Sequence, residues 1–221
     1  MMKAIIFGST GMVGKAVLLE CLDDSRVTDV LLVNRNALEL SHPKIKEVLH
    51  SDFSDFSSLG AEFGNYDACY FCMGVSAGGM KEADYRRITY DFTLAAAQQC
   101  FQHNPNMTFC YVSGDGTDST EQGRMMWARV KGKTENDILG LGFKKAYMYR
   151  PGIIQPLKGI KSRTPVYQFF YNWFGWTLPI IKALSRHALT DTTHLGKSMI
   201  NAHMIGFDHH ILRNKDINLS A

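Results

Sequence analysis

The chain has 221 residues, with 24 Lys plus Arg against 21 Asp plus Glu and a formal net charge of +3. That length buries a sizeable core in one domain, since single domains run to roughly 250 residues, and so small a charge excess excludes a dedicated nucleic-acid surface. Five cysteines, Cys21, Cys69, Cys72, Cys100 and Cys110, are odd in number and set among apolar residues, which suits free thiols in a reducing cytosol and not a disulfide framework. The N-terminal apolar run is too short for a secretory signal and ends in glycines, so the expected location is cytoplasmic.

Apolar runs predict strands at about 3–7, 29–33, 45–49, 67–72, 107–112 and 143–149. Helical spacing fills most of the gaps: Val13, Ala16, Val17 and Cys21 mark one face, and Tyr85, Ile88, Phe92 and Ala95 another. Strands alternating with helices imply an α/β fold, a Rossmann-like, doubly wound, mostly parallel sheet with its ligand at the strand C-terminal ends. Cys69 and Cys72 form a C-x-x-C, but residues three apart on a strand point to opposite faces, which speaks against a shared metal or a disulfide. After Arg150-Pro151-Gly152 the alternation stops. The expectation is a single domain in which 1–152 forms the sheet and 153–221 a small helical cap on the substrate side, ending in C-terminal helices, one of them from about Asp191 to Ile205.

The stretch Val166 to Leu184 reaches membrane-span length but contains Gln168, Asn172, Gly175, Pro179 and Lys182. A spanning helix wants about 20 predominantly apolar residues, so a buried, broken helical cap is the expectation, with an interfacial contact to lipid or a protein partner as its alternative. Its Tyr167, Phe169, Phe170, Trp173 and Trp176 suit a flat or hydrophobic small-molecule substrate and equally suit core packing. The eight histidines make no i,i+4 pair on a predicted helix, and no metal site is expected.

The first strand breaks into Gly8-Ser9-Thr10-Gly11-Met12-Val13-Gly14 just before a helix begins. A helix start offers unpaired N–H groups and the positive end of the macrodipole, and glycines let a pyrophosphate approach them, so a dinucleotide is the expected guest. A P-loop is excluded twice: Ser9 stands where its first glycine belongs, and Ala16 follows Lys15 where a magnesium-binding hydroxyl belongs. The second strand ends at Asn34-Arg35, about 20 residues past Gly14, where the ribose-reading residue belongs. No acid is present there to hold the 2′-hydroxyl of NAD, whereas Arg35 suits a 2′-phosphate, so NADP is favoured over NAD, with Ser9 and Thr10 as further hydroxyl donors. Asp52-Phe53 after the third strand is placed along the adenine edge, and Cys72-Met73-Gly74-Val75 after the fourth along the ribose and nicotinamide.

These residues, with Tyr111-Val112-Ser113-Gly114, Val130-Lys131-Gly132-Lys133-Thr134-Glu135 and Tyr149-Arg150-Pro151-Gly152, resemble the short-chain dehydrogenase/reductase superfamily. They resemble in particular its atypical, NmrA-like branch, which includes the Tat-interacting proteins and is akin to the nucleoside-diphosphate-sugar epimerases. The resemblance implies a serine and a Tyr-x-x-x-Lys in the chemistry. Carried over, the serine is Ser113, the lysine is Lys131, and the tyrosine position holds Trp127, with no tyrosine anywhere between Ser113 and Ala146. It also implies that Arg150, Pro151 and Gly152 border the cofactor and that Lys131 holds its ribose hydroxyls. An indole N–H donates a hydrogen bond but has no useful acidity, so binding survives this substitution and family-type acid catalysis does not. Two functions follow as expectations: an NADP-dependent oxidoreductase or epimerase-like enzyme drawing its proton from water, Asp115, Tyr85 or a substrate hydroxyl, and a non-catalytic NADP(H) sensor that engages a partner.

Overall fold

The computed structural model describes residues 1–160 and 189–221. The expected aromatic cap at 166–184 lies outside the described residues. Seven strands form one sheet: β1 (Met2–Phe7), β2 (Val27–Asn34), β3 (Ile45–Leu49), β4 (Ala68–Phe71), β5 (Thr108–Val112), β6 (Lys145–Arg150) and β9 (Ile211–Arg213). Two further strands, β7 (Ile153–Gln155) and β8 (Leu189–Asp191), pair separately. The order in the main sheet is β3-β2-β1-β4-β5-β6-β9 and every pair is parallel. The direction of winding therefore reverses between β1 and β4, and the crevice above their C-terminal ends is where such sheets hold a ligand.

Both faces of the sheet are covered, which is why its central strands are apolar throughout instead of alternating. Along β1, Ala4 and Ile6 join the core beneath α1 (Met12–Asp23) and α6 (Thr192–Met204). Ile5 and Phe7 join the opposite core, beneath α4 (Phe92–His103) and α5 (Met126–Leu141). There the Phe7 ring meets Phe56 edge-on, with centroids 5.4 Å apart, and lies 5.1 Å from Phe71. The short helices α2 (Gly60–Phe63) and α3 (Glu82–Arg86) border this second layer, and α7 (Asn214–Leu219) follows β9. Helices α1 and α6 cross closely because Gly196 has no side chain: a Cβ there would lie 2.6 Å from Glu20 Cγ.

The six strands read from the sequence are present with small changes at their ends. Two expectations need correction. The helical face Tyr85, Ile88, Phe92, Ala95 does not continue as one α-helix, because a π-turn at Arg87–Asp91 joins α3 to α4. The extra residue in that turn rotates the buried stripe onto Tyr85, Thr89 and Thr93, and leaves Ile88, Phe92 and Ala95 only partly buried. The alternation also does not end at Gly152. β8, α6 and β9 continue it, so the sheet-forming part extends past residue 152, and α6 lies against α1 on a face of the sheet, away from the C-terminal crevice. Asp191 starts α6 as its N-cap, accepting a hydrogen bond from the His194 N–H at 2.8 Å.

Cys69 belongs to the α4-side core, whereas Cys72 packs against the α1-side core, so the C-x-x-C is split between the two layers. All five cysteines are free thiols, and among the described residues no group of three His, Cys, Asp or Glu side chains is placed to hold a metal. No described helix is long and apolar enough to cross a membrane.

Candidate functional site

At the C-terminal ends of the strands a cleft of about 900 Å³ runs from the end of β2 across β1 and β4 to the ends of β5 and β6. Its geometry begins with the glycine turn. Gly8 has φ +78°, a conformation that disfavours any side chain, and a Cβ there would also lie 2.8 Å from the Met73 backbone nitrogen. At Gly14 a Cβ would stand 2.6 Å from the Gly8 carbonyl carbon, so only glycine lets α1 start so close to β1. No side chain caps that helix: Gly11 is its N-cap, and Thr10, Gly11, Met12 and Val13 at its start line the cleft. The turn has the room and the donors that a pyrophosphate needs.

The predicted cofactor residues separate into those that line the cleft and those behind it. Gly8, Thr10, Gly11, Met12, Val13, Asn34, Arg35, Phe53, Cys72, Met73, Gly74, Pro151 and Gly152 line it. Ser9, Gly14, Asp52 and Arg150 stand outside its walls. Ser9 is fully buried and donates to Asn34 Oδ1 at 2.8 Å, while Asn34 Nδ2 donates to Glu47 Oε1 at 2.7 Å. These two side chains tie the turn to β2 and β3, which leaves Thr10 as the hydroxyl and Arg35 as the cation open to a ligand. Arg35 is exposed at the rim and has no hydrogen-bond or ion-pair partner among the described residues. The Asp52 carboxylate is taken by the Ser54 N–H at 2.9 Å and by the Ser54 hydroxyl, both of which hold its carboxyl below the usual range.

At the other end, Ser113, Trp127 and Lys131 come together on the cleft wall. Trp127 and Lys131 lie one turn apart on α5, and the indole packs over Gly116, whose would-be Cβ lies 3.3 Å from the ring. The Lys131 ammonium donates to the Ser113 carbonyl oxygen, and burial pushes its pKa down to about 8. The Ser113 hydroxyl donates to Glu135 Oε1 and also lies 3.1 Å from the Tyr149 carbonyl oxygen. Glu135 is 1% exposed, and its carboxylate is gripped by Arg150, whose Nε lies 3.0 and 3.1 Å from the two oxygens and whose Nη2 binds Oε2. Arg150, 5% exposed, thus acts beneath the cleft floor, and Glu135 is the residue that sequence reasoning missed. Its signal was its place at i+4 from Lys131. Val75, expected beside Gly74, lines the cleft as well, and unforeseen in the walls are Ser76 to Gly78, a small-residue run after β4, and Ile153 and Ile154.

A seven-stranded parallel sheet wound in this order, with a glycine turn and a serine–lysine pair along one crevice, defines a Rossmann-type, doubly wound domain. No protein-family model matches the chain. It is similar to Protein FMP52-1, mitochondrial, of Scheffersomyces stipitis, with 29% identity over 156 residues, 69% of this chain and 67% of that protein. It is also similar to Protein HTATIP2 of Rattus norvegicus, with 24% identity over 154 residues, 69% of this chain and 62% of that protein. Among solved structures, a short chain dehydrogenase family protein of Francisella tularensis superposes with a TM-score of 0.65 at 11% identity, over 93% of this chain and 92% of that one. The Bordetella bronchiseptica enzyme WbmF, solved in complex with NAD+, superposes with a TM-score of 0.70 at 13% identity, over 99% of this chain and 76% of that one. The expected cytoplasmic location is corrected by the FMP52 relatives, which in several fungi are named mitochondrial.

Proposed function

We propose that the chain is an NADP(H)-binding oxidoreductase of the short-chain dehydrogenase/reductase kind, epimerase-like in its architecture, acting on a small carbonyl or alcohol. The observation that carries this reading is that one cleft joins an uncapped, glycine-lined helix start to Ser113, Trp127 and Lys131. When bound, the nicotinamide supplies or accepts the hydride. The chain's own residues do the rest: the α1 turn holds the pyrophosphate, Thr10 and Arg35 read the 2′-phosphate, and Lys131 and Trp127 border the reacting end.

The test is a titration with NADPH and NADH followed by tryptophan fluorescence. A charge-assisted hydrogen bond contributes about 1.5–3 kcal/mol, or roughly 10- to 100-fold in affinity, and that is the expected preference for NADPH. Arg35→Ala should abolish the preference while leaving NADH binding unchanged. Equal binding of the two nucleotides by the unaltered protein refutes the NADP assignment.

One observation favours a second reading, a non-catalytic NADP(H) sensor. The Ser113 hydroxyl gives its single proton to Glu135, so it offers the cleft no donor with which to polarise a carbonyl. Turnover on a panel of carbonyl substrates separates the two readings.

A further inference from the structure

Five side chains with a titratable proton line the described cleft: Arg35, Cys72, Tyr85, Asp115 and Lys131. Arg35 sits past the end of β2, three strands from β5, or about 14 Å at the usual strand spacing, too far to serve a substrate beside Ser113. Burial pushes the Cys72 thiol and the Tyr85 phenol up, and Tyr85 is 1% exposed. Asp115 is exposed at the rim, where it accepts from Arg213 at 3.2 Å. Ser113, whose hydroxyl carries no useful acidity, turns its proton away to Glu135.

Lys131 differs from all of these. Its ammonium carries three protons and spends one on the Ser113 carbonyl oxygen; its Nζ would lie 3.8 Å from a Cβ at Gly114, so it sits against the backbone of the cleft floor. Among the described residues no carboxylate holds the other two protons. The acid one turn further along α5, Glu135, is occupied by Arg150 and Ser113, and its charge offsets the burial of Lys131 only in part. Of the groups around the ammonium, the Ser113 carbonyl accepts from it and Glu135 on its own helix acts on its charge; Asp115 after β5, Cys72 after β4 and Tyr85 on α3 line the same cleft, and Arg150 of β6 holds Glu135.

We propose that Lys131 is the acid–base residue of this cleft, giving a proton to the substrate's carbonyl oxygen during reduction and taking it back during oxidation. The proposal rests on the oxidoreductase reading above. In the reductive direction the carbonyl carbon receives a hydride from the reduced nicotinamide and forms a C–H bond. The carbonyl π pair moves to oxygen and forms an O–H bond with a proton from Lys131 Nζ. The N–H bonding pair stays on nitrogen, the neutral amine regains a proton from water, and the carbonyl leaves as an alcohol. Ser113 has a supporting part: with its proton held by Glu135, it presents lone pairs to the cleft and can accept a hydrogen bond from the product hydroxyl. A lysine that titrates near neutral pH matches what an acid–base group needs, and it stands one turn from Trp127, where the family resemblance puts a tyrosine.

The test has a binding readout and a turnover readout. First, the dissociation constants of NADP+ and NADPH are measured from pH 6 to 10, and their ratio is taken so that titration of the shared 2′-phosphate cancels. An ammonium beside the oxidised, cationic ring disfavours it, so NADP+ should gain severalfold on NADPH as the pH rises through about 8. Lys131→Arg, which keeps the charge, should flatten the ratio while still binding NADPH. Second, carbonyl reduction should decline above about pH 8, fall at least 100-fold in Lys131→Arg, and persist in Tyr85→Phe. A flat ratio in the unaltered protein, turnover that survives Lys131→Arg, or turnover lost in Tyr85→Phe overturns the lysine as the acid. Titration of the ratio in a protein that reduces no carbonyl refutes the oxidoreductase reading and the proposal with it, whereas a flat ratio with turnover intact refutes the role of Lys131 alone.

Discussion

Replacing Glu135 with Gln tests whether the ion pair under the cleft floor is a fixed part of the fold. Glu135 and Arg150 are 1% and 5% exposed, and the carboxylate receives the Arg150 Nε, the Arg150 Nη2 and the Ser113 hydroxyl. A carboxamide keeps the shape but has one acceptor oxygen where three donors converge, and its NH2 then faces another donor. Removing one partner of a buried pair leaves an uncompensated charge and costs about 3–5 kcal/mol, a large part of the 5–15 kcal/mol that holds a typical domain together. The reference substitution is Asp137→Asn, which breaks the Lys133–Asp137 pair on the outer face of the same helix. That pair has a 3.0 Å separation and side chains 34% and 33% exposed, and pairs of this kind are worth about 0.3–0.5 kcal/mol. Urea denaturation of both variants, at matched salt, gives the comparison. A loss under about 1 kcal/mol for Glu135→Gln refutes the reasoning. The paired replacement Glu135→Leu with Arg150→Met should recover most of the loss, because an apolar pair of similar volume needs no counter-charge.

Gly14→Ala forces a methyl group to within 2.6 Å of the Gly8 carbonyl carbon; it should cost about 1–3 kcal/mol in thermal or chemical unfolding and weaken NADPH binding more than Gly74→Ala, where a Cβ meets nothing within 4 Å. Burial lowers the pKa of His203, whose Nδ1 lies 3.1 Å from Thr108 Oγ1. The unfolded chain therefore binds that proton first as the pH falls through 6.5, so stability should decline with acidification below that pH and decline less in His203→Gln. Equal slopes in the two proteins would refute this assignment. If Trp127 borders the nicotinamide, Trp127→Phe should remove most of the fluorescence quenching that NADPH produces, and an unchanged signal places the indole elsewhere.

Much of the sheet was legible because buried parallel strands need continuous apolar runs, and Ala4–Phe7 and Val30–Val33 are such runs. β9 was not: three residues beside His209-His210 carry too little hydrophobic signal, and its pairing with Met148–Arg150 is set by tertiary contact alone. The π-turn at Arg87–Asp91 has no residue signature and shows only as a phase slip in the buried stripe. At the site, the glycines were readable because their steric demand is local. The roles of Ser9 and Asn34 were not, because a hydroxyl and an amide side chain suit a ligand or each other equally well, and only the fold brings Ser9, Asn34 and Glu47 into line. Glu135 was hidden for the same reason: its partner Arg150 arrives from β6, 15 residues later in the chain.

The small pair β7 and β8 has a consequence for how this protein can change. The chain leaves β7 at Gln155 and re-enters at Leu189, which lies opposite Ile153 in the same parallel pair. Departure and return are thus pinned within a few residues of each other, and Ile153 and Ile154 also line the cleft. Substitutions that alter how β8 pairs with β7 therefore reshape the cleft wall at Ile153 and Ile154, so specificity can diverge there while the glycine turn stays as it is.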